Sequence, residues 1–473
     1  VAEWVSEQSG PGTEAGPSGR VRVLADGDGD GRYEPVAIFL DQLPPITSIR
    51  AWGRGLLLIA APDLVYAEDS NGDGEADVAQ RWLVGLGAET PGRRANSLSW
   101  GPDGWIHVAN GLGDGVLRAL PDWNPFPGWT PPRDLEIAGT DFRFRPDTGQ
   151  LEVAAGLSQV GRARTDFDDW FGGDAQGRIW HFPLPTAYLR RNPAASYPDP
   201  AVLLEATADR SEAGAGFGAT EALPASGWLT VYRDEALGAS YAGSLLQCMP
   251  ARHQVRRWTL EARGASFQAT PAARPLLASA DPWFCPLQVA TGPDGAVWVI
   301  DARLGAEAPR GGGNAPAAGR LLRIRPAQLP PRAIEDLTKL GPASLVTAFR
   351  SANGPARDRA HAEIMRRGDP VLVAPLADAL SPSTETNAAV RAQALLVLNA
   401  LGRLLPEHLT AALADPDPNV RRTALRLMEP LLERGQRLPT ELEVLSRDSD
   451  GAVRFQLALT LGASGSAAAA VLL

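Results

Sequence analysis

Repetition constrains this 473-residue chain more than any single motif does. Gly101-Pro-Asp-Gly-Trp-Ile-His-Val108 returns as Gly292-Pro-Asp-Gly-Ala-Val-Trp-Val299, 191 residues later. Asp26-Gly-Asp-Gly-Asp-Gly-Arg-Tyr-Glu34 returns after 43 residues as Asp69-Ser-Asn-Gly-Asp-Gly-Glu-Ala-Asp77. A chain that repeats a turn together with its following strand is building the same unit again. In each Gly-Pro-Asp-Gly the proline fixes φ and the last glycine supplies a positive one, so the chain reverses into a strand. Four units of roughly 48 residues fill the longer gap, close to the period of a propeller blade. Asp174-Ala-Gln-Gly-Arg-Ile-Trp180 falls out of phase and implies an insertion. The expectation is an all-β propeller of six or seven blades over residues 1–326, its first blade incomplete.

Past residue 326 the pattern changes. Trp298 is the last tryptophan, and Ala- and Leu-rich segments at helical spacing follow a proline-rich junction through Pro326, Pro330 and Pro331. Strands first and helices afterwards argue for separate domains. Residues 327–345 read as linker and first helix, and 346–473 as an all-α, HEAT-like solenoid. Asp417-Pro-Asn-Val420-Arg421 is echoed by Asp450-Gly-Ala-Val453-Arg454, with Asn387 to Arg391 and Arg357 to Ile364 in the same frame at 30 to 34 residues. Asp or Asn caps a helix, Val enters the core, and Arg can reach the acidic turn of a neighbouring repeat. Such an array either offers a concave surface to a protein partner or covers part of the propeller.

Composition excludes several classes. The formal charge is −10, from 45 basic and 55 acidic residues, with no basic stripe, so nucleic acid is not an expected partner. No apolar run approaches the ~18 residues of a membrane span. Lys339 is the only lysine, which fits GC-rich coding. Cys248 and Cys285 read as two buried thiols or one disulfide; two cysteines make no zinc site, and no CxxCH haem motif occurs. The chain opens at Val1 without a leader, as a mature form or fragment would.

The acidic loops carry the clearest chemistry. In Asp69-x-Asn71-x-Asp73-Gly74-x-x-Asp77 oxygens recur at positions 1, 3, 5 and 9, with glycine at position 6 for the sharp turn, a hard oxygen set for Ca²⁺. Asp26, Asp28, Asp30 and Glu34 repeat it around Gly31. The bidentate Glu of an EF-hand is missing, Ala37 and Gln80 standing in its place, and the flanks read as strands. Two calcium loops inside blade hairpins are therefore expected, similar to those of integrin propellers.

Catalytic groups are sparser. Of five histidines, His361 and His408 read as surface residues, while His107 alternates with Ile106 and Val108 on a strand and faces a tunnel or a blade interface. No GxSxG, HExxH or phosphate loop occurs, which removes hydrolase and nucleotide readings. Asp166-Phe-Asp168-Asp169-Trp170 mixes acids and aromatics as sugar sites do, or is a solvated loop. Gln159, Arg162 and Arg164 just upstream could face an anionic cofactor or substrate. The candidate catalytic residues are thus Gln159, Arg162, Asp168 and His107, and the candidate cofactor-binding ones Arg162 and Arg164.

These segments together resemble a family. The stretch from Gly19 through Gly31, Ala60-Ala-Pro-Asp-Leu-Val-Tyr66 with Asp69–Asp77, Asn96-Ser-Leu-Ser-Trp-Gly-Pro-Asp-Gly-Trp105 and Ser158-Gln-Val-Gly-Arg162 are similar to the bacterial membrane-bound dehydrogenase β-propeller family. Trp180-His-Phe-Pro-Leu-Pro185, Tyr188 to Pro193, Ala280-Asp-Pro-Trp-Phe284 and Thr291-Gly-Pro-Asp-Gly295 extend the likeness over residues 1–326. The resemblance implies HEAT-like repeats after the propeller and a distant likeness to soluble quinoprotein glucose and sorbosone dehydrogenases, which use PQQ and calcium. It also implies a periplasmic or secreted location and a carbohydrate or small alcohol as substrate. The chain departs from it where relatives carry a histidine before Asn96, where Cys285 replaces an arginine, and after Asp301, where Gly- and Ala-rich sequence ends in Gly311-Gly-Gly-Asn314. The two functional expectations are a PQQ-type sugar or alcohol dehydrogenase homologue and a non-catalytic, calcium-stabilised scaffold binding glycan or protein.

Overall fold

The computed structural model describes residues 1–5, 18–88, 91–174, 176–191, 201–204, 228–302, 319–329, 332–435, 439–464 and 467–472. Gly311–Asn314, where the likeness to relatives lapses, and the prolines 330 and 331 of the junction lie outside them. Six antiparallel sheets follow one another up to Ile324, the blade succession of a six-bladed β-propeller, and a helical region comes after them. The residues group into two compact units, one built chiefly of 1–162 and the other of 163–171 and most of the chain after Arg178.

In the first unit the sheets are Ala2–Val5, Ser18–Ala25 and Glu34–Leu43; then Ser48–Trp52, Gly55–Ala60, Asp63–Glu68 and Val78–Val84, extended by Val116–Ala119 and Leu135–Glu136; then Asn96–Trp100, Ile106–Ala109, Asp141–Arg145 and Gln150–Ala154. The run Leu56 to Ala60 shows why this chain makes blades. Leu57 and Ile59 face a core with Leu83, Trp82 and Trp123, while Leu58 and Ala60 face another with Val21 and Ile46. A strand of period two that is apolar at every position is buried on both faces.

The fourth sheet runs Val160–Arg164, Trp170–Gly173, Ile179–His181 and Val202–Leu203. The second unit adds Leu229–Val231, Leu245–Met249, Gln254–Arg263 and Ser266–Pro271 with Leu277–Ala278, then Pro286–Thr291, Val297–Asp301 and Arg320–Ile324. The repeated turn sits in the third and sixth sheets, so 191 residues span three blades, not four of roughly 48. The implied insertion accounts for the difference: between His181 and Leu229 the described chain forms only helix α1 (Thr186–Leu189) and the strand Val202–Leu203. Both turns have one geometry, with Gly104 and Gly295 at φ 85° donating to Gly101 and Gly292 carbonyls at 3.0 and 3.1 Å.

The helices of this unit are α2 (Pro342–Phe349), α3 (Gly354–Arg367), α4 (Val373–Asp378), α5 (Ala388–Ala400), α6 (Pro406–Leu413), α7 (Pro418–Glu433), α8 (Glu441–Leu445), α9 (Gly451–Ser464) and α10 (Ala467–Leu472). Asn353, Asn387, Asp417 and Asp450 cap α3, α5, α7 and α9 by accepting first-turn N–H groups, as the repeat predicts. Val390, Val420 and Val453 are buried in the helical cores. No helix among the described residues is long and apolar enough to cross a membrane. Cys248 and Cys285 are both buried thiols.

Candidate functional site

Each acidic loop closes a hairpin: Asp26–Glu34 joins Ser18–Ala25 to Glu34–Leu43, and Asp69–Asp77 joins Asp63–Glu68 to Val78–Val84. In the first, carboxylate oxygens of Asp26, Asp28 and Asp30 converge to within 4.8 Å of one another. Asp26 Oδ2 accepts the Gly31 N–H at 3.1 Å, whereas Oδ1 is buried with no hydrogen-bond partner. Glu34 is not part of this group. The second loop satisfies itself more fully. Asp69 accepts N–H groups of Gly74 and Gly72, which hold its carboxyl below the usual range. Asn71 and Asp73 accept from Asp73 and Glu75 N–H, and Asp77 takes both N–H and hydroxyl of Ser70. Asp69, Asp73 and Asp77 do not converge as the first three do.

Gln159 and Arg162 stitch strands together. Asn96 accepts Gly161 N–H and donates to the Gln159 carbonyl, both at 2.9 Å, and Ser97 Oγ bonds both the N–H and the carbonyl of Arg162. The Arg162 guanidinium, 3% exposed, donates to Asp141 and to the Ala155 carbonyl. Asp141 in turn holds the Ser158 hydroxyl and the N–H groups of Asn110 and Ser158. His107 is buried on its strand opposite Ser99 and Arg143. The Gln159 side chain reaches the Gly92 carbonyl at 3.4 Å.

The loop Thr165–Asp169 is half-buried, with Asp169 buried. Within the second unit Asp166 accepts from Arg233 and from Arg357 of α3, Asp168 from Arg426 of α7 at 3.3 Å, and Asp169 from Arg422 of α7. Phe167 packs on the α7 and α9 core, and its carbonyl accepts from Arg422. Asp358 of α3 accepts from Arg164 at 2.8 Å and Arg233 at 2.7 Å, and Gln393 donates to it at 3.2 Å. Burial alone would raise the Asp358 and Asp166 carboxyls, but the surrounding guanidiniums outweigh it and hold both below the usual range. Burial draws the Arg164 guanidinium down despite Asp358.

His361, expected at the surface, is 2% exposed beside Gln393 Nε2, 3.0 Å from its Nδ1, and burial pushes it down to about 3. The α3 face carrying it turns inward because Arg357 and Asp358 are drawn to the loop. Asp141 and Arg233 escaped the sequence reading; Arg357 and Asp358 had only one signal, their place in the helical repeat frame.

Residues 2–303 match a domain of unknown function, DUF7133. The chain belongs to that family. Residues 406–473 match HEAT repeats. None of the curated proteins matches the chain. Among solved structures, a luciferin-regenerating enzyme is similar over 67% of this chain and 86% of its own, at 11% identity and a TM-score of 0.38. A glucose dehydrogenase is similar over 69% and 99%, at 15% identity and a TM-score of 0.38. An oxidoreductase of the glucose dehydrogenase kind from Thermus thermophilus is similar over 59% and 96%, at 15% identity and a TM-score of 0.31.

Proposed function

We propose that this DUF7133 protein is a calcium-stabilised propeller and solenoid scaffold, periplasmic or secreted, that binds a glycan or a protein. The observation that carries the reading is the commitment of its candidate catalytic side chains to the fold. Arg162 is paired with Asp141, Arg164 with Asp358, and Asp168 with Arg426. A PQQ-like cofactor bears carboxylates that need accessible cations, and these buried, paired arginines do not fit one.

Calcium fits the first loop. Asp26, Asp28 and Asp30 would hold it, and the buried, unpartnered Asp26 Oδ1 is the oxygen a cation would satisfy. The ion would neutralise three crowded carboxylates and so fasten the hairpin. Asp69, Asn71, Asp73 and Asp77 would form a weaker second site, since their oxygens already accept N–H and O–H groups.

The motif likeness over residues 1–326 supports a second reading, a PQQ-type sugar or alcohol dehydrogenase. Incubation with PQQ and Ca²⁺, followed by dye reduction across a panel of sugars and alcohols, separates the two. Retained quinone with turnover overturns the scaffold reading; no retained quinone, with calcium still raising Tm, supports it.

A further inference from the structure

Three connections of the first unit meet around residues 92–95, where the chain enters the third sheet. Gly111 donates its N–H to the Ser158 carbonyl at 2.9 Å, and Gln159 Nε2 reaches the Gly92 carbonyl at 3.4 Å. Asn96 Nδ2 holds the Arg94 carbonyl at 3.1 Å. A Cβ on Gly111, whose φ is 76°, would lie 2.1 Å from that same carbonyl. Ser97 and Leu112 also adopt left-handed φ, at 61° and 65°. Such conformations persist only where the surroundings over-determine them, so the backbone that carries Arg93 and Arg94 is fixed.

Arg94 is half-buried, and its Nε donates to the Ala88 carbonyl at 3.1 Å. That brace leaves both Nη groups without a partner among the described residues. Half-buried arginines elsewhere in the unit have carboxylates: Arg20 faces Asp41, Arg22 faces Glu3 and Arg143 faces Glu152, at 3.7, 3.1 and 2.7 Å. Arg94 faces none, and burial draws its guanidinium down with no carboxylate to offset it. Arg93, exposed beside it, pairs with no acid among the described residues either. A desolvated cation is costly until a counter-charge reaches it. A planar guanidinium braced at Nε offers its Nη1–Nη2 edge to a bidentate carboxylate, with less entropy to lose on pairing. Because Arg94 is more deeply set than Arg93, a carboxylate on a slender chain suits the pair better than a flat protein surface does.

We propose that Arg94, with Arg93 beside it, binds the carboxylate of a uronate-bearing glycan. The proposal takes the glycan arm of the scaffold reading and rests on it. The test is isothermal titration calorimetry of the full chain with three probes: a glucuronate-containing hexasaccharide, the same sugar with its carboxyls reduced to alcohols, and hexaglutamate. Saturable binding of the glucuronate sugar is expected, weaker by about tenfold after reduction. Arg94→Gln should weaken it about tenfold, and Arg94→Lys nearly as much, because an ammonium lacks the planar fork. Arg93→Gln should cost about threefold, as an exposed charge does. Arg133→Gln, which removes an exposed charge elsewhere in the unit, should change Kd little. Glu89 of the same connection lies outside the described residues, and Glu89→Gln should leave Kd unchanged. Tighter binding by Glu89→Gln would mean that its carboxylate fills the fork, and overturns the proposal. Equal Kd for the wild type and Arg94→Gln, or hexaglutamate bound as tightly as the sugar, does the same. Equal affinity for the reduced sugar overturns the proposal and leaves the scaffold reading standing; no binding of either sugar removes the glycan arm of that reading as well.

Discussion

Arg422 and Asp169, 253 residues apart in sequence, form a buried ion pair at 2.7 to 3.0 Å. Around it Asp166 and Asp168 take Arg357 and Arg426, so three acids of one five-residue loop each hold an arginine from the helices. Removing one partner of such a pair leaves an uncompensated buried charge. Asp169→Ala is therefore expected to cost about 3–5 kcal/mol in chemical denaturation. Pairing it with Arg422→Met should recover much of that loss. Burial raises the Asp169 carboxyl, Arg422 more than offsets it, and the net shift is downward. The stability this pair contributes is complete above the unfolded carboxyl value of about 4 and is lost as pH falls below it. A denaturation midpoint that does not move with Asp169→Ala would contradict the assignment.

Two buried histidines add a slope at milder pH. Burial pushes His361 down to about 3 and His181 to about 4, where Ser266 Oγ lies 2.9 Å from His181 Nδ1. Both are neutral in the folded chain at pH 5, while the unfolded chain, with a value near 6.5, binds the protons. Stability is therefore full above about pH 6.5 and falls toward pH 4, by about 1 kcal/mol per pH unit for each group. His361→Leu should remove its share of that slope, whatever it does to the absolute stability. Urea midpoints at pH 7, 6, 5 and 4.5 read the slope directly.

The parts of this architecture that were legible are local. A Gly-Pro-Asp-Gly turn, the apolar run Leu56–Ala60 and the capping Asp417 and Asp450 each state their conformation within a few residues, because φ, period and cap chemistry act at short range. Blade length was misread because the inserted stretch after His181 carries no period of its own. The acid–arginine cluster was invisible for another reason. Asp166 and Arg357 are 191 residues apart, and nothing near either one marks the other as its partner. The aromatic Phe167 made the loop look like a sugar site; in the fold that ring is half-buried and packs against the α7 and α9 core.

Calcium removal should be visible as instability. A ligand bound only by the folded chain stabilises it by about 2.7 kcal/mol at a hundredfold excess over Kd. A chelator is expected to lower Tm, and added Ca²⁺ to restore it. Asp28→Asn should abolish most of the response and Asp73→Ala only a smaller part, since Asp28 belongs to the converging group and Asp73 does not. The measurement is differential scanning calorimetry across a calcium titration. Melting curves that superimpose with and without chelator would sink the metal assignment.

The N-terminus of α3 offers the sharpest steric prediction. Asn353, 1% exposed, accepts the Ala356 N–H at 2.6 Å and donates to Asp234 and to the Gly292 carbonyl, so one amide both caps the helix and seats it on two turns. The next residue, Gly354, donates its N–H to the Arg233 carbonyl at 2.7 Å. A Cβ there would lie 2.6 Å from Arg233 Nε and 2.8 Å from Arg233 Cβ. The guanidinium cannot swing aside freely, because it is bound to Asp166 and Asp358. Gly354→Ala should therefore cost about 1–3 kcal/mol through overpacking, although alanine is ordinarily the better helix former. Asn353→Ala should cost about as much, from the lost cap and from desolvated groups left unbonded. In the double variant Gly354→Ala with Arg233→Ala, the clash with Nε and the guanidinium carbon should vanish, while the close contact with the retained Cβ and the ion-pair loss remain. The two substitutions will then be less than additive in denaturant titrations, and simple additivity would show that the contact is not there.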